Sequence, residues 1–489
     1  MSAAESISAG RTAARPRRIA IVGGGLAGLA AAVGLARQSI DGRPLEVELF
    51  EARRRLGGRA ASFADAATGE SVDYCQHISM GCCTNLADLC RRTGTEDLFR
   101  PDRVLQLFTR DGRSSRLSAA RWLPAPLHLA PALLKLHFLS WKERLGIGRA
   151  MLQLARAKPA SLAGQTVAAW LRAHGQSPRA IERFWGAVLV SALGEAVDRA
   201  SMLHAQKVFL DAYLGNKSAY ELLVPRVSLS ELYDGRLTQW LHGAGVELRL
   251  GTAVERIEQQ SDSSSLSLGT PQGRRPFDAV IVAVPWQRVT SILAPPLAAL
   301  PELAGLDRIN AAPIAGVHLW FDRPITTLEH AALVDMLSQW LFRRTDMEAG
   351  HAAGEHYYQV VISASHHIDR RERGEVVAEI CAELRDVFPA ARDARLLRWK
   401  LVADPFAVFS VRPGIEDLRP SQATSSAGLY LAGDWTKTGW PSTMEGAVRS
   451  GYLAAEAVLR QFGREVPLLV PDLPQTWLAR LITGRRETS

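Results

Sequence analysis

The sequence contains few cysteines, and their spacing does not indicate a metal site. Its 489 residues include five cysteines, four of which (Cys75, Cys82, Cys83 and Cys90) lie within sixteen residues. A secreted disulfide scaffold has a denser and usually even set. The cluster also lacks the C-x2-C pair typical of zinc and iron–sulfur sites. We expect reduced thiols and no metal, with Cys83 and Cys90 on one face of a helix over residues 79–93.

Long apolar runs and targeting patterns are also missing. Arginines precede the first apolar run without the hydrophobic stretch of a signal peptide, and residues 1–16 are expected to be flexible. No run of eighteen apolar residues occurs, so no transmembrane helix is predicted. Aromatic residues make up only 7%, without a zinc-finger or arginine–aromatic pattern, which argues against a nucleic-acid partner. These features favour a cytoplasmic protein.

Apolar and charged residues occur in ordinary globular proportions, 47% and 22%. The chain length predicts more than one domain. The net charge of +8 favours an anionic partner, either a phosphate-bearing cofactor or an acidic membrane surface.

Two segments have the pattern of helices that lie on membrane surfaces. Residues 122–139 are apolar but interrupted by three prolines. The tail, residues 463–489, places Trp477 and Leu481 beside Arg480 at helical spacing. Such amphipathic segments bind in the plane of the membrane interface. The alternative is that both segments cover the protein's own core.

Residues 19–51 predict a strand, a glycine turn, a helix and a second strand. Gly23 allows the tight turn, Gly25 lets backbone N–H groups approach a diphosphate, and Gly28 lets the helix pack closely on the strand. The N-terminus of the helix attracts the diphosphate. Glu51, at the end of the second apolar run, is suited to accept hydrogen bonds from ribose hydroxyls. This pattern predicts a dinucleotide site.

Three further segments indicate which dinucleotide is bound. A Gly-Gly-Arg run (residues 57–59) follows Glu51, a Gly-Asp pair at Asp434 ends an apolar run, and a helix opens near Glu445. Together with Val254, these residues resemble the flavoprotein amine oxidase and phytoene desaturase superfamily. The resemblance implies FAD as the cofactor. No second Gly-x-Gly-x-x-Gly run occurs, so no separate NAD(P)H domain is expected.

The same resemblance implies an α/β fold with an α+β substrate part. A Rossmann-like FAD-binding domain of the amine oxidase type is expected over 17–85, 225–285 and 420–462. An inserted, largely helical substrate domain is expected over 86–224 and 286–419. The residues implied to contact FAD are Gly23, Gly25, Leu26, Ala27, Gly28, Glu51, Ala52, Gly57, Gly58, Arg59, Val254, Gly433, Asp434, Met444, Glu445 and Ala447.

Two runs carry a narrower resemblance. Residues 433–448 contain Gly-Asp-Trp-Thr and Glu-Gly-Ala-Val, and residues 318–324 read His-Leu-Trp-Phe-Asp-Arg-Pro. Over about residues 18–461 the chain resembles the hydroxysqualene dehydroxylase family, FAD-dependent enzymes of bacterial hopanoid and squalene synthesis. It departs at Gly194, where the likeness suggests Asn, and at Cys75, where it suggests Gly.

The narrower resemblance implies removal of the hydroxyl of hydroxysqualene to give squalene. An acid protonates the leaving oxygen, and reduced FAD supplies the hydride. The implied partners are a polyisoprenoid substrate, a membrane surface on the inner face, and an electron donor such as NADPH or a reductase.

His77 and Glu445 are the candidate proton donors because both lie beside segments expected near the flavin. His77 is alternatively a structural hydrogen-bonding histidine, and Glu445 alternatively only orients the cofactor. Other activities also fit the sequence. They are a carotenoid or phytoene desaturase-like FAD oxidase, an amine or protoporphyrinogen oxidase, and a non-catalytic FAD-binding scaffold or thiol redox sensor that uses the Cys75–Cys90 cluster.

Overall fold

A parallel five-stranded sheet forms the base of the cofactor half. The computed structural model describes residues 15–65, 69, 71–260, 265–344 and 354–484, so nearly all of the segment predicted to be flexible, 1–16, lies outside them. The strands of this sheet come from all three segments assigned to the FAD-binding domain, whose exact boundaries stay predictions. In spatial order they are Glu247–Leu250, Glu46–Glu51, Arg18–Val22, Ala279–Val282 and Leu429–Leu431.

Two helices, from opposite ends of the sequence, pack on each other beside this sheet. They are Leu26–Leu35, every residue of which is buried, and Met444–Gln461. A Cβ atom on Gly451 would overlap the backbone oxygen of Ala27, so the two helices approach closely. The helix Met444–Gln461 is therefore an integral part of the cofactor half.

The substrate part contains a seven-stranded mixed sheet beside its helices. One face of this sheet packs on the helix Arg373–Val387 through residues such as Val317, Leu319 and Ile380. The predicted α/β fold with an α+β substrate part is confirmed. In spatial order the strands are Ser114–Leu117, Leu105–Phe108, His330–Leu333, Trp340–Arg343, His356–Ser363, Ala311–Phe321 and Leu396–Phe409.

Helices of the substrate part concentrate between residues 130 and 214. The longest of them, Trp141–Arg156, begins with a capping box in which Ser140 and Glu143 exchange hydrogen bonds. The helices share a core with the cofactor half, because Trp185 and Trp435 belong to one packed cluster. The segments are Ala130–Leu134, Trp141–Arg156, Pro159–Leu162, Val167–Ala173, Pro178–Ala180, Ala187–Leu193 and Met202–Val208, with π-helical Ile181–Gly186 and Phe209–Leu214.

Short strands and helices complete the described chain. None of the described helices is long and apolar enough to cross a membrane. The small sheets contain Ser39–Ile40 with Arg43–Pro44, Ser62–Ala64 with Ser71–Asp73, Ser79–Met80 with Leu222–Pro225 and Phe99–Asp102, and Arg256–Gln259 with Leu266–Thr270 and Gly273–Phe277. The remaining helices are Thr84–Thr93, π-helical Ser230–Arg236, Leu237–Gly243, Trp286–Ile292, Pro295–Ala298 and Trp477–Thr483.

The helix predicted over residues 79–93 is shorter than expected. Residues 79 and 80 instead form a strand that pairs with Leu222 and Leu223. Gly81 then approaches the backbone of Ser218 so closely that a Cβ atom would overlap it. The helix begins only at Thr84, which leaves Cys83 at its N-cap. The prediction was wrong at this end because strand pairing with a distant segment overrides local helix propensity.

Candidate cofactor and active site

The first glycine turn joins the central strand to the first helix. Gly23 has φ +114°, a conformation that side chains rarely adopt, and a Cβ there would lie 2.5 Å from the oxygen of Ala283. A Cβ on Gly28 would overlap the oxygen of Gly23, so the helix packs against the turn as predicted from spacing. Leu26 and Ala27 form the buried first turn of the helix.

A second glycine turn lies directly against the first. The N–H of Gly57 donates to the oxygen of Gly24 at 2.9 Å, and a Cβ on Gly58 (φ +61°) would lie 3.0 Å from the Cα of Gly25. Gly25 itself has room, since its nearest neighbour would be 3.9 Å from an added Cβ. The two turns present backbone without side chains at the N-terminus of the helix Leu26–Leu35, which fits a diphosphate.

Glu51 and Val254 lie together at the edge of this turn. The carboxylate of Glu51 accepts hydrogen bonds from the N–H groups of Gly24 (2.7 Å) and Arg53 (2.8 Å). Its backbone oxygen accepts from Thr252, which brings the Gly251–Val254 segment alongside. A carboxylate held by its own backbone in this way keeps lone pairs for ribose hydroxyls. Ala52, the neighbour of Glu51, is exposed.

Arg59 and Asp434, predicted separately as FAD contacts, form an ion pair. Their side chains are 2.5 Å apart, with Asp434 almost fully buried and Arg59 39% exposed. Arg59 also donates to the oxygen of Ala407 at 2.7 Å, and Ser442 donates to the second oxygen of Asp434. Ser442 was not among the residues predicted to contact FAD, although it lies within residues 433–448. The pair gives this end of the site one exposed cationic group.

A cavity of about 300 Å³ opens beside Arg59. It is lined by Arg59, Pro285, Trp286, Gln287, Asp404 and Phe406. Gly433, at the end of the neighbouring strand, has φ +148° and donates its N–H to the Ser450 hydroxyl at 2.8 Å. Strand ends of a parallel sheet, where this cavity opens, are where such folds bind ligands.

Glu445 holds a helix in place. Its fully buried carboxylate accepts hydrogen bonds from the N–H groups of Asn85 (3.1 Å) and Leu86 (2.8 Å), at the N-terminus of the helix Thr84–Thr93. Burial raises the pKa of this carboxyl above 4.5, although these hydrogen bonds oppose the rise. Such contacts give Glu445 a positioning role and do not support its candidacy as proton donor. Met444 and Ala447 lie in the same helical turn.

His77 stands beside the cationic end of the site. Its Nδ1 is 2.8 Å from the oxygen of Cys75, so Nδ1 carries the hydrogen and Nε2 keeps a lone pair. Burial lowers the pKa of His77 below 6.5, and the charge of Arg59 lowers it further against the opposing effect of Asp73. The imidazole is therefore neutral at physiological pH, and its protonated form is a stronger acid than an ordinary imidazolium.

A buried charged pair supports the His77 segment and was missed by the sequence analysis. Asp73 and Arg344, both at most 4% exposed, are joined at 3.0 Å, and Arg344 also donates to Gln76. Asp73 accepts further hydrogen bonds from the Ser62 hydroxyl (2.6 Å) and the N–H of Leu229 (2.9 Å). The pair fixes the backbone that leads to His77. No local pattern could reveal it, because its members lie 271 residues apart.

The cysteines are free thiols, and the surroundings of several of them favour the protonated form. Burial raises the pKa of Cys75 to about 12 and that of Cys90 to about 11. Because the thiolate is the reactive form, these thiols are poor nucleophiles at neutral pH. Among the residues that the structure describes, no group of three or more His, Cys, Asp or Glu side chains could hold a metal ion.

The parallel sheet, the stacked glycine turns and Glu51 define a dinucleotide-binding oxidoreductase fold. The chain matches the family described as flavin containing amine oxidoreductase over residues 26–459, and it belongs to that family. FAD is therefore its cofactor, and the protein is an FAD-dependent oxidoreductase.

The chain is similar to curated relatives that are named as a phytoene desaturase and a hydroxysqualene dehydroxylase. The chain is 28% identical to the 15-cis-phytoene desaturase of Solanum lycopersicum, across 92% of this chain and 78% of the relative. It is 29% identical to the hydroxysqualene dehydroxylase of Rhodopseudomonas palustris, across 91% and 98%. The fold is also similar to cyclohexylamine oxidase from Brevibacterium oxydans, with a TM-score of 0.67, 20% identity and coverage of 92% and 100%.

Proposed function

We propose that this protein removes the hydroxyl group of hydroxysqualene to give squalene and water. The observation that carries the proposal is the apolar core that joins the substrate part to the cofactor half. Phe184, Trp185 and Leu189 of the helices belong to the same packed cluster as Val282 and Trp435, beside the Gly433–Asp434 strand end. These side chains make the boundary between the two parts apolar, which suits a polyisoprenoid substrate. The similarity to a hydroxysqualene dehydroxylase along 98% of its length supports the same reaction.

The residues of the chain have three roles in this proposal: some bind the cofactor, one supplies the proton, and others exclude water. The stacked glycine turns, Glu51, Arg59 and Asp434 would hold FAD, which supplies a hydride when bound in its reduced form. Loss of an allylic hydroxyl needs a proton on the leaving oxygen, and we propose that His77 delivers it from Nε2. The apolar helices exclude water, which would otherwise trap the cationic carbon. The carbon–oxygen bond breaks, a carbon–hydrogen bond forms, and water leaves.

A desaturase acting on a polyisoprenoid is the second candidate. The specific observation in its favour is the neutral form of His77, whose Nε2 lone pair is ready to accept a proton. Removal of hydrogen from a saturated carbon pair needs such an acceptor, whereas dehydroxylation needs a donor. The similarity to phytoene desaturases agrees with this direction. The two candidates differ in whether the flavin must enter the reaction reduced or oxidised.

An anaerobic single-turnover experiment separates the two. The purified protein is photoreduced, mixed with hydroxysqualene in detergent, and followed by flavin absorbance while the lipid is extracted. Recovery of oxidised flavin with an equal amount of squalene supports dehydroxylation. Flavin that stays reduced with hydroxysqualene contradicts it, and oxidised enzyme that becomes reduced on a more saturated polyisoprene supports the desaturase.

The pH dependence of that turnover tests the role of His77. Because its folded pKa lies below 6.5, a reaction that needs protonated His77 should accelerate as the pH falls through and below 6.5 and slow as the pH rises. We expect His77→Gln to lower the rate by about 10²–10⁴-fold and to flatten the profile between about pH 5 and about pH 8. Stopped-flow flavin absorbance measures both quantities. An unchanged profile in His77→Gln, at full FAD content, would exclude His77 as the acid.

The proposed reaction also sets the location of the protein. Squalene and its precursors dissolve in lipid, so we propose that the protein works on the cytoplasmic face of the inner membrane. The reaction consumes one pair of electrons for each squalene, and therefore requires an electron donor such as NADPH or a reductase.

A further inference from the structure

Large apolar side chains are exposed on one side of the substrate part. In the described part of the chain eleven such side chains are exposed, and eight of them come from three segments: the stretch after residue 121, the helix Trp141–Arg156 and the helix Trp477–Thr483. Monomeric soluble proteins rarely leave such groups together in water. We define these eight as the apolar face: Trp122, Leu127, Leu134, Trp141, Leu145, Leu152, Trp477 and Leu481.

The three segments of the apolar face are in contact with each other. The helix Trp141–Arg156 packs against the C-terminal helix, and Arg156 donates to the oxygen of Ile482 at 3.2 Å. The Thr476 hydroxyl donates to the oxygen of Ala125 at 2.6 Å, which joins the C-terminal helix to the first segment. Residues more than 300 positions apart in sequence therefore build one surface.

The helix Trp141–Arg156 is apolar on the side where a soluble helix is polar. Its inner side buries Ile147 and Leu154 in the core, as expected of a packed helix. Its outer side carries Trp141, Leu145 and Leu152, which repeat at helical spacing and remain exposed. Helix formation and core packing require only the apolar side chains of the inner side. The exposed apolar side chains of the outer side are therefore suited to contact a partner.

The charges in the segments that form the apolar face are mostly positive. Residues 121–158 and 473–484 contain eight basic residues and one acidic residue, although the whole chain has 58 basic and 50 acidic residues. The acidic residue, Glu143, is engaged in the capping box with Ser140. Arg144 lies over the ring of Trp141, 4.7 Å from its centroid. Exposed tryptophans and leucines within a basic border match the polarity of an anionic lipid interface.

We propose that the apolar face docks on the surface of an anionic lipid bilayer. Its tryptophans and leucines enter the interface, and the basic side chains contact the lipid headgroups. The inner side of the same helix belongs to the core that reaches Trp435 and the candidate site. The inference deepens the proposed function and rests on it in one respect, the lipid solubility of the substrate. It adds a docking surface in which the helix Trp141–Arg156 is central.

Vesicle flotation of the full-length, FAD-loaded protein tests the proposal. Binding is expected to vesicles that mix phosphatidylglycerol with phosphatidylcholine, and to weaken with added salt. Leu145→Ser, and Trp477→Ser combined with Leu481→Ser, should each lower the partition coefficient about tenfold, since binding scales with buried apolar area. Trp399→Ser is the matched control, because it removes an exposed tryptophan from the strand Leu396–Phe409, outside the face. This variant should bind as the unaltered protein does.

Three outcomes would overturn the proposal. They are failure of the unaltered protein to bind these vesicles, equal loss of binding in Trp399→Ser, and a dimer in sedimentation that Leu145→Ser dissociates. The last outcome would assign the face to a second copy of the chain. Turnover of substrate dispersed in detergent is measured separately, because the face lies outside the candidate site. Binding without turnover contradicts the proposed function alone, and turnover without binding contradicts the docking alone.

Discussion

Replacing Gly25 with alanine is expected to give a folded protein that no longer retains FAD. An added Cβ at this position would come no closer than 3.9 Å to any neighbouring atom of the chain, and the backbone there (φ −77°) is one that alanine adopts. The methyl group would occupy the space where the backbone must approach the diphosphate. We expect the affinity for FAD to fall by about 100-fold or more, equivalent to roughly 2.7 kcal/mol.

Flavin absorbance after purification, and titration of the stripped protein with FAD, measure this effect. Circular dichroism shows whether the fold is retained. Gly28→Ala is the contrasting variant, because its Cβ would overlap the oxygen of Gly23, and the fold itself should suffer. If Gly25→Ala binds FAD as tightly as the unaltered protein, the stacked glycine turns do not hold the diphosphate.

Replacing Asp73 with alanine should lower the free energy of unfolding by about 3–5 kcal/mol, because it removes the carboxylate from a buried ion pair. Arg344 is 4% exposed and Asp73 is 1% exposed, so water cannot compensate for the loss. The hydrogen bonds from Ser62 and Leu229 would be lost as well. The backbone leading to His77 should loosen, so turnover should fall together with stability.

Denaturant unfolding followed by circular dichroism at a fixed FAD concentration provides the measurement. The matched control is Glu379→Ala. This carboxylate pairs with Arg371 at 2.6 Å, but the two side chains are 41% and 31% exposed. Such a surface pair contributes about 0–1 kcal/mol, so the control should change little. An equal loss of unfolding free energy in the two variants would mean that the buried Asp73–Arg344 pair stabilises the protein no more than a surface pair does.

The parts of the site that lie on one continuous stretch of chain could be predicted from the sequence. A single strand–helix–strand unit contains Gly23, Gly25, Gly28 and Glu51. In such a unit the spacing along the chain determines which residues lie close together. The structure places all four around one turn, as expected from that spacing.

Contacts between distant segments could not be predicted in the same way. Glu445 was expected beside the flavin, and its carboxylate also binds the N-terminus of the helix that begins at Thr84. This contact could not be predicted, because the partners are some 360 residues apart. The ion pair of Arg59 with Asp434 joins segments 375 residues apart. Both members were expected to contact the cofactor, but no spacing rule reveals that they also contact each other.

The close packing of the helices Leu26–Leu35 and Met444–Gln461 has a consequence for biosynthesis. The glycine turn is synthesised some 400 residues before its supporting helix and the last strand of the sheet, Leu429–Leu431. At bacterial or eukaryotic elongation rates this delay is roughly 20–80 s. Throughout it, a fully apolar helix and an open sheet edge lack their partners. Nascent chains should therefore engage chaperones, and FAD should be captured only after the helix Met444–Gln461 has left the ribosome.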